Sequence, residues 1–403
     1  MTATAQTRLV YLTLLITGLG YFIDSYDAFS FNIIRAASLG ELGLSGDALT
    51  RAGVFILNCQ VTGTLLGGIF WGMLGDRLGR KKALLGSILC YSAGMIANAF
   101  VHDVDIYAAL RALVGFGIAG EVGLGATLVG EFATKTQRTY VLAFFTALGL
   151  TGVAAAALSV EIVSWRTTCM IGGIGGLLLL LLRSRLFESP LFEELAQRRR
   201  NDGSFLQILG HGASLKKWLC CIFILAPNFF VTGLLLTLAP ELAKAAGVGA
   251  PVRANIALAC YFTAAVAGDL LSGYLSERLR SRRRVLIAYL GANAVCALSY
   301  ISFTPHSAAG FYALAFVFGL FNLWALATTA AIEQFPTPVR ATVTTTSMNV
   351  ARACLVPMNL AFLALKDSGT APAATAVGAG IFALGFIAAL RLKESYGASL
   401  SAA

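Results

Sequence analysis

The stretch Gly72-Met-Leu-Gly-Asp-Arg-Leu-Gly-Arg-Lys-Lys82 packs five charges into eleven residues, between two runs of some twenty residues that are almost wholly apolar. A turn after a soluble core helix needs fewer charges, and a nucleic-acid patch is not hemmed in by apolar segments. Charge this dense between segments long enough to cross a bilayer reads as a hairpin joining two transmembrane helices.

Composition extends that reading to the whole chain. Its 403 residues are 57% hydrophobic and 12% charged, where a soluble domain carries roughly a quarter of its residues as charged. The mean hydropathy is +0.77. Twelve apolar runs stand between charged or turn-rich breaks, near 9–33, 51–74, 82–101, 106–131, 139–161, 167–184, 218–240, 254–276, 284–303, 308–332, 341–364 and 373–391. Each is about the length of a spanning helix, so the expected fold is an all-α membrane protein with twelve transmembrane helices. The first run contains Asp24 and Asp27 and is followed by no small-residue cleavage site, so it does not read as a cleavable signal.

The net charge of +10 follows topology rather than a nucleic-acid partner. Arg77, Arg80, Lys81, Lys82, Arg138, Arg183, Arg278, Arg280, Arg282, Arg283, Arg284 and Arg340 fall on one side of a twelve-span arrangement. The other side holds little beyond Arg51, Arg166, Lys244, Arg253 and Lys366. This bias predicts a multi-pass protein with both termini cytoplasmic. Short loops and the lack of an Asn-x-Ser/Thr sequon point to a bacterial inner membrane, and a monomer is expected. The eight cysteines have no Cys-x-x-Cys spacing and read as small buried hydrophobes. The three histidines fall in loops, so no metal or cofactor is expected, and any proton crossing the membrane must ride on carboxylates.

The charged hairpin repeats. Gly273-Tyr-Leu-Ser-Glu-Arg-Leu-Arg-Ser-Arg-Arg283 follows the same pattern 201 residues on, and Glu131…Arg138 returns 202 residues later as Glu333…Arg340. Two echoes at nearly one offset predict two parallel six-helix repeats, with bundles over 1–184 and 218–403. A cytoplasmic linker over 185–217, with a short amphipathic helix near Glu188–Arg200, joins them. Parallel repeats are a transporter architecture, with the substrate site near the midplane where they meet.

Gly72-x-Leu-Gly-Asp-Arg77-x-Gly79-Arg80-Lys81 resembles the loop motif of the major facilitator superfamily. Asp24-Ser-Tyr-Asp27, Arg111-x-x-x-Gly-x-Gly-x-x-Gly-Glu121, Glu188-Ser-Pro190, Glu333-x-Phe-Pro-x-x-x-Arg340 and Glu394-Ser-x-Gly397 are similar to its metabolite, aromatic-acid and sugar proton symporters. Arg280 and Glu277 depart from the glycine and aspartate of the second hairpin, and Ser25 from a glycine in the first span. The Gly-Pro pattern of antiporters is absent from the fifth span. The resemblance implies alternating access, with a cytoplasmic latch built from Gly72, Asp76, Arg77, Gly79, Arg80, Glu131, Arg138, Glu277, Glu333 and Arg340. Small residues at 72, 75 and 79 let helices approach closely. Asp76 can face a helix N-terminus or pair with Arg138.

Charges at membrane depth cost roughly 2.5–3.5 kcal/mol on insertion scales and are usually paired and functional. Asp24 and Asp27 lie one turn apart on one face of the first span, and with Glu121 and Asp269 they form the candidate proton-coupling set. Arg352, one turn from Asn349, suits a carboxylate or phosphate ligand. Arg111 and Arg35 are further counter-charges, and Arg35 either guards the outer mouth or snorkels to the interface. Tyr26 and Asn32 can add hydrogen bonds. The repeat offset sets Asn228 and Asn322 in the second half where Asp27 and Glu121 stand in the first, which predicts protons in one half and substrate in the other. The aromatics, Tyr261 and Trp324 among them, read mainly as core or lipid-facing.

No nucleophile–base set, metal spacing or phosphate loop appears, so an enzyme is not expected. The leading expectation is a proton-coupled symporter of a small organic anion. The alternatives are a metabolite or siderophore exporter and, in another class, a sensor or assembly partner that moves nothing.

Overall fold

The computed structural model describes residues 3–133, 137–184, 212–237, 239–245, 247–250, 252–302, 307–365 and 368–397. The first half runs through α1 (Ala3–Glu41), α2 (Gly46–Leu78), α3 (Arg80–Asn98), α4 (Val104–Phe132), α5 (Arg138–Ile162) and α6 (Trp165–Arg183). The second holds α7 (Gly212–Phe229), a short α8 (Ala239–Ala245), α9 (Ala254–Arg278), α10 (Arg282–Ser302), α11 (Ala308–Leu320), α12 (Trp324–Gln334), α13 (Thr337–Ala353), α14 (Leu355–Leu365) and α15 (Thr370–Arg391). Leu66, Leu89, Leu181 and Leu390 are among the large apolar side chains left exposed, as a lipid-facing surface requires. Glu188, Pro190 and the expected amphipathic linker helix lie outside the described residues, as do the side chains of Arg138 and Asn32.

Three apolar runs of the second half are not continuous α-helices. Pro227 lies inside α7, which passes into a π-helical turn over Phe230–Leu235. The runs near 308–332 and 341–364, each expected as one span, are two helices apiece: α11 and α12 part at Phe321–Leu323, and α13 and α14 at Cys354. A break in a membrane helix survives only where other groups take over the freed backbone atoms. Asn293 donates to the Phe321 carbonyl at 2.6 Å, and Asp269 accepts from the Ala325 N–H at 3.2 Å, in the first turn of α12.

Helix α13 carries the polar string Thr342-Val-Thr-Thr-Thr-Ser-Met-Asn349, which suits neither lipid nor a sparse core. It lies against α2, α4 and α7, and every residue of the string is buried. Thr346 returns its hydroxyl to the Thr342 carbonyl at 2.6 Å. The first and second halves meet here and along α5 and α9. Gly72 faces the Thr342 backbone closely enough that a Cβ would come within 2.8 Å of Thr342 Cα.

The charged hairpins build two versions of one triad. Arg80 lies 3.3 Å from Asp76 and 3.2 Å from Glu131, with its side chain 1% exposed. Arg282 lies 2.9 Å from Glu277 and 3.3 Å from Glu333. Arg340 crosses from the second half to Glu131 at 2.9 Å. Asp76 accepts from the Ala341 and Thr342 N–H groups at 3.1 and 2.8 Å, in the second turn of α13. Arg77 is exposed. The contacts of Asp76 and Arg340 join the two halves at the hairpin end of the bundle. At the opposite end, beyond the apolar part of α1, the Trp165 indole and then Arg166 hold the Glu41 carboxyl below its usual range, at 2.6 and 2.9 Å.

The two turns differ in backbone, which explains the departure at Arg280. Gly79 sits alone between α2 and α3 at φ 104°, ψ 151°, a region open essentially to glycine. The second turn has three residues between helices, and Arg280 adopts φ 48° there, which an L-residue tolerates at modest cost. The extra length accounts for the repeat offset rising from 201 at Asp76/Glu277 to 202 at Arg80/Arg282. Gly79→Ala is therefore expected to destabilise the protein by about 1–3 kcal/mol, whereas Arg280→Gly leaves stability unchanged or slightly higher. Thermal unfolding of both variants in detergent checks this, and equal effects would refute it.

Candidate functional site

A cavity lies between the halves near the broken helices. It encloses about 480 Å³ not filled by atoms, part of it open to solvent, and is lined by Tyr21, Asp24, Ser25, Ala28, Phe29, Leu150, Asn228, Phe229, Thr232, Phe262, Asn322, Trp324 and Arg352. One carboxylate and one guanidinium supply its charge, and aromatic faces supply most of its apolar surface.

Helix α1 sets Asp24 on the first-half wall, and the last turn of α13 sets Arg352 on the other. Arg352 makes no ion pair within 4 Å to a described residue. Its guanidinium carbon lies 5.8 Å from the centre of the Phe229 ring. Asp24 is 1% exposed, and its Oδ1 has no hydrogen-bond partner among the described residues. A half-buried guanidinium and a buried carboxylate that share one cavity without an ion pair between them leave each with unmet capacity for an opposite charge.

Of the other residues singled out in the sequence, Asn228 and Asn322 also line this cavity. Tyr261, expected as core or lipid-facing, stands behind both: its hydroxyl lies 2.7 Å from Asn228 Oδ1 and 3.2 Å from Asn322 Oδ1. Asn322 donates in turn to Asp269 at 2.9 Å. Asp269 thus braces the break between α11 and α12 rather than facing the cavity. Trp324, also expected as core or lipid-facing, lines the cavity.

Asp27 departs from Asp24 despite the single turn between them. It is fully buried within the first half, and both its oxygens lack a partner among the described residues. It points at Gly172 of α6, where a Cβ would collide with its carboxylate. Arg111 is buried in the same half, with its guanidinium 4.7 and 5.5 Å from the Phe31 and Tyr107 rings and against the sulfurs of Met95 and Cys169. No ion pair within 4 Å joins Arg111 to Asp27 among the described residues, so the expected contact with an acid of the first span is not a direct one.

Glu121 is ion-paired with Arg183, whose side chain is 1% exposed and also donates to the Thr17 carbonyl at 2.9 Å. By sequence Arg183 ends an apolar run and falls among the charges of the basic side. It reaches inward through the space that Gly20 leaves open, since a Cβ there would strike both Arg183 and Glu121. The glycine one turn before Asp24 was the available signal. Three other candidates lie off the cavity. Arg35 packs against Gly53 of α2. Tyr26 bonds Ser159 of α5 at 2.8 Å. Asn349 donates to the Ala119 carbonyl at 3.0 Å, tying α13 to α4 across the halves.

Comparison with known proteins accords with this geometry. The sequence profile of the Major Facilitator Superfamily matches residues 17–355. NiaP of Bacillus subtilis (strain 168), provisionally named a niacin/nicotinamide transporter, is 26% identical over 340 residues, covering 81% of each chain. The sialic acid transporter NanX of Escherichia coli (strain K12) is 23% identical over 330 residues, covering 80% of this chain and 79% of that one. The solved structure of the proton:xylose symporter XylE superposes with a TM-score of 0.77 at 17% identity, over 98% of both chains; at that identity the likeness concerns the fold alone. A cavity between two six-helix halves, contacts joining those halves at the end where the repeated charged hairpins lie, and a profile match over most of its length make this chain a membrane transporter of the major facilitator superfamily.

Proposed function

We propose that the protein is a proton-coupled symporter that imports a small organic anion across a bacterial inner membrane by alternating access. The hairpin end faces the cytoplasm in this reading, because the basic residues gather there. The bundles over 1–184 and 218–403 rock about the cavity, and the contacts of Asp76, Arg80, Glu131 and Arg340 form in one state and part in the other.

The single observation that carries the proposal is Arg352, a guanidinium in the cavity with no ion pair to a described residue. A carboxylate ligand matches its planar fork of donors. The flat faces of Phe29, Phe229, Phe262 and Trp324 suit a ring or chain attached to that carboxylate. The names of NiaP and NanX include two organic acids, niacin and sialic acid, although that of NiaP also includes nicotinamide, a neutral amide.

Coupling follows from charge. With the cavity empty, Asp24 has Arg352 as the cation across the same space. An anion that takes Arg352 leaves the Asp24 carboxylate buried without its counter-charge, and a proton on Asp24 restores neutrality before the halves move. Ligand and proton thus travel together. Glu121 with Arg183, and Asp27 near Arg111, lie behind this wall and hold the remaining intramembrane charge in the first half.

Two outcomes test the reading. Arg352→Gln should raise the apparent KM for an anionic substrate by at least tenfold while shifting the melting temperature little, because the side chain anchors ligand rather than fold. A collapsed melting temperature with unchanged binding by calorimetry would make Arg352 structural instead. Asp24→Asn, in proteoliposomes, should abolish uphill accumulation driven by a pH gradient and leave substrate exchange partly intact. Undiminished accumulation by this variant would remove Asp24 from the coupling step.

A further inference from the structure

We infer that Phe229 is a positioning residue for Arg352. Its ring holds the guanidinium at the cavity in place of a counter-ion, so that the N–H donors stay available to a carboxylate ligand. The inference deepens the anion reading above and rests on it.

The other arginines at the ends of the bundle are held by acids. Arg80, Arg183, Arg282 and Arg340 each lie within salt-bridge distance of a carboxylate. Such a pair neutralises the charge and occupies the donors that face it. Arg352 is held otherwise. Its side chain has neither an ion pair nor a hydrogen bond to a described residue, and its guanidinium carbon lies 5.8 Å from the centre of the Phe229 ring. The face of a ring attracts a cation through its quadrupole and without a lone pair, so the planar fork keeps its donors. Arg352 also sits in the last turn of α13, just before the break at Cys354, and the dipole of a helix C-terminus favours a cation.

The second half fixes the ring itself. Phe229 ends α7, where the chain passes into the π-helical turn. It meets Trp324, the first residue of α12, in a T-shaped pair with centroids 5.6 Å apart and planes at 83°. Trp324 is buried in turn. Arg352, Phe229 and Trp324 thus form a row from three helices, each beside an interruption. The competing partner for a long charged side chain here is Asp24, which lines the same cavity. A guanidinium that turned to it would close a pair and lose much of its attraction for an incoming anion. The Phe229 ring opposes that turn, and a guanidinium fixed in advance loses less conformational freedom when the ligand arrives.

Fluorination tests the charge of the ring separately from its shape. Phenylalanine carrying one, two or three ring fluorines is inserted at position 229; each fluorine draws electron density from the face and hardly changes its size. The probes are cyclohexanecarboxylate and cyclohexanecarboxamide, which share one shape and have no aromatic face of their own. Their binding to the purified full-length protein in detergent is measured by titration calorimetry, with melting temperature as the check on folding. The wild type should prefer the carboxylate, and Arg352→Gln should remove that preference. Along the fluorine series carboxylate affinity should fall stepwise, by roughly fivefold at the third fluorine, with carboxamide affinity and melting temperature unchanged. If the wild type shows no preference, or Arg352→Gln keeps it, the anion reading fails and this inference with it. If both of those results hold but the series is flat, or the two probes weaken together, only the role of Phe229 is overturned. Should the fluorinated proteins fail to fold, Phe229→Tyr and Phe229→Leu decide the matter. The first keeps the aromatic face and should keep the carboxylate preference, and the second should lose it; the same outcome in both refutes the role.

Discussion

A charge or an unpaired backbone group inside a bilayer has no water to turn to, and this one constraint organises the protein. Most ionic groups at membrane depth are partnered within their own half, used to join the halves, or held at the cavity, while Asp27 and Arg111, buried in the first half, make no ion pair with each other. Arg183 and Glu121 belong to the first kind, Arg340 and Glu131 to the second, Asp24 and Arg352 to the third. The helix breaks obey the same rule, with Asn293 and Asp269 standing in for the missing turns of helix.

The halves divide this work unequally. The first keeps nearly continuous helices and buries Asp24, Asp27, Arg111, Glu121 and Arg183 among them. The second interrupts its helices beside the cavity and sets the amides of Asn228, Asn293 and Asn322 near them, with Asp269 and Arg352 as the ionisable groups at the breaks. Broken helices bring backbone and side-chain dipoles to the midplane, where a ligand can use them. Continuous helices hold charges at fixed depth. The division of ionisable and amide residues expected from the repeat offset has this structural counterpart, although Asp27 itself does not reach the cavity.

Gly20 and Gly79 show two distinct uses of a missing side chain. At Gly79 the need is conformational, because one residue must turn the chain between α2 and α3 with φ at 104°. At Gly20 it is spatial, because an ion pair from α4 and α6 occupies the place of a Cβ. The second repeat manages its turn with two more residues and so does without the first kind of glycine. A motif glycine can thus be replaced where an insertion has relaxed the geometry.

Much was legible from sequence because membrane constraints are local. Run length and hydropathy define spans, basic residues define sidedness, and repeated hairpins define the two halves, all without knowledge of which helix touches which. Arg352 stands out in the same way, as a charge at a depth where lipid cannot hold it, and Asn228 and Asn322 stand out through the repeat offset. What the sequence by itself left open depends on azimuth and neighbours. Asp24 and Asp27 share a helix face at 60° from one another, yet only the packing of α1 against α5 and α6 decides that one meets the cavity and the other meets Gly172. Arg183 looked like a loop charge because a run's end does not say which way a long side chain turns. Tyr261 looked like core because an aromatic ring's hydroxyl acquires a role only from the two amides that other helices bring to it. Spans follow from one-dimensional hydropathy; the site follows from which side chains three-dimensional packing leaves facing a common space.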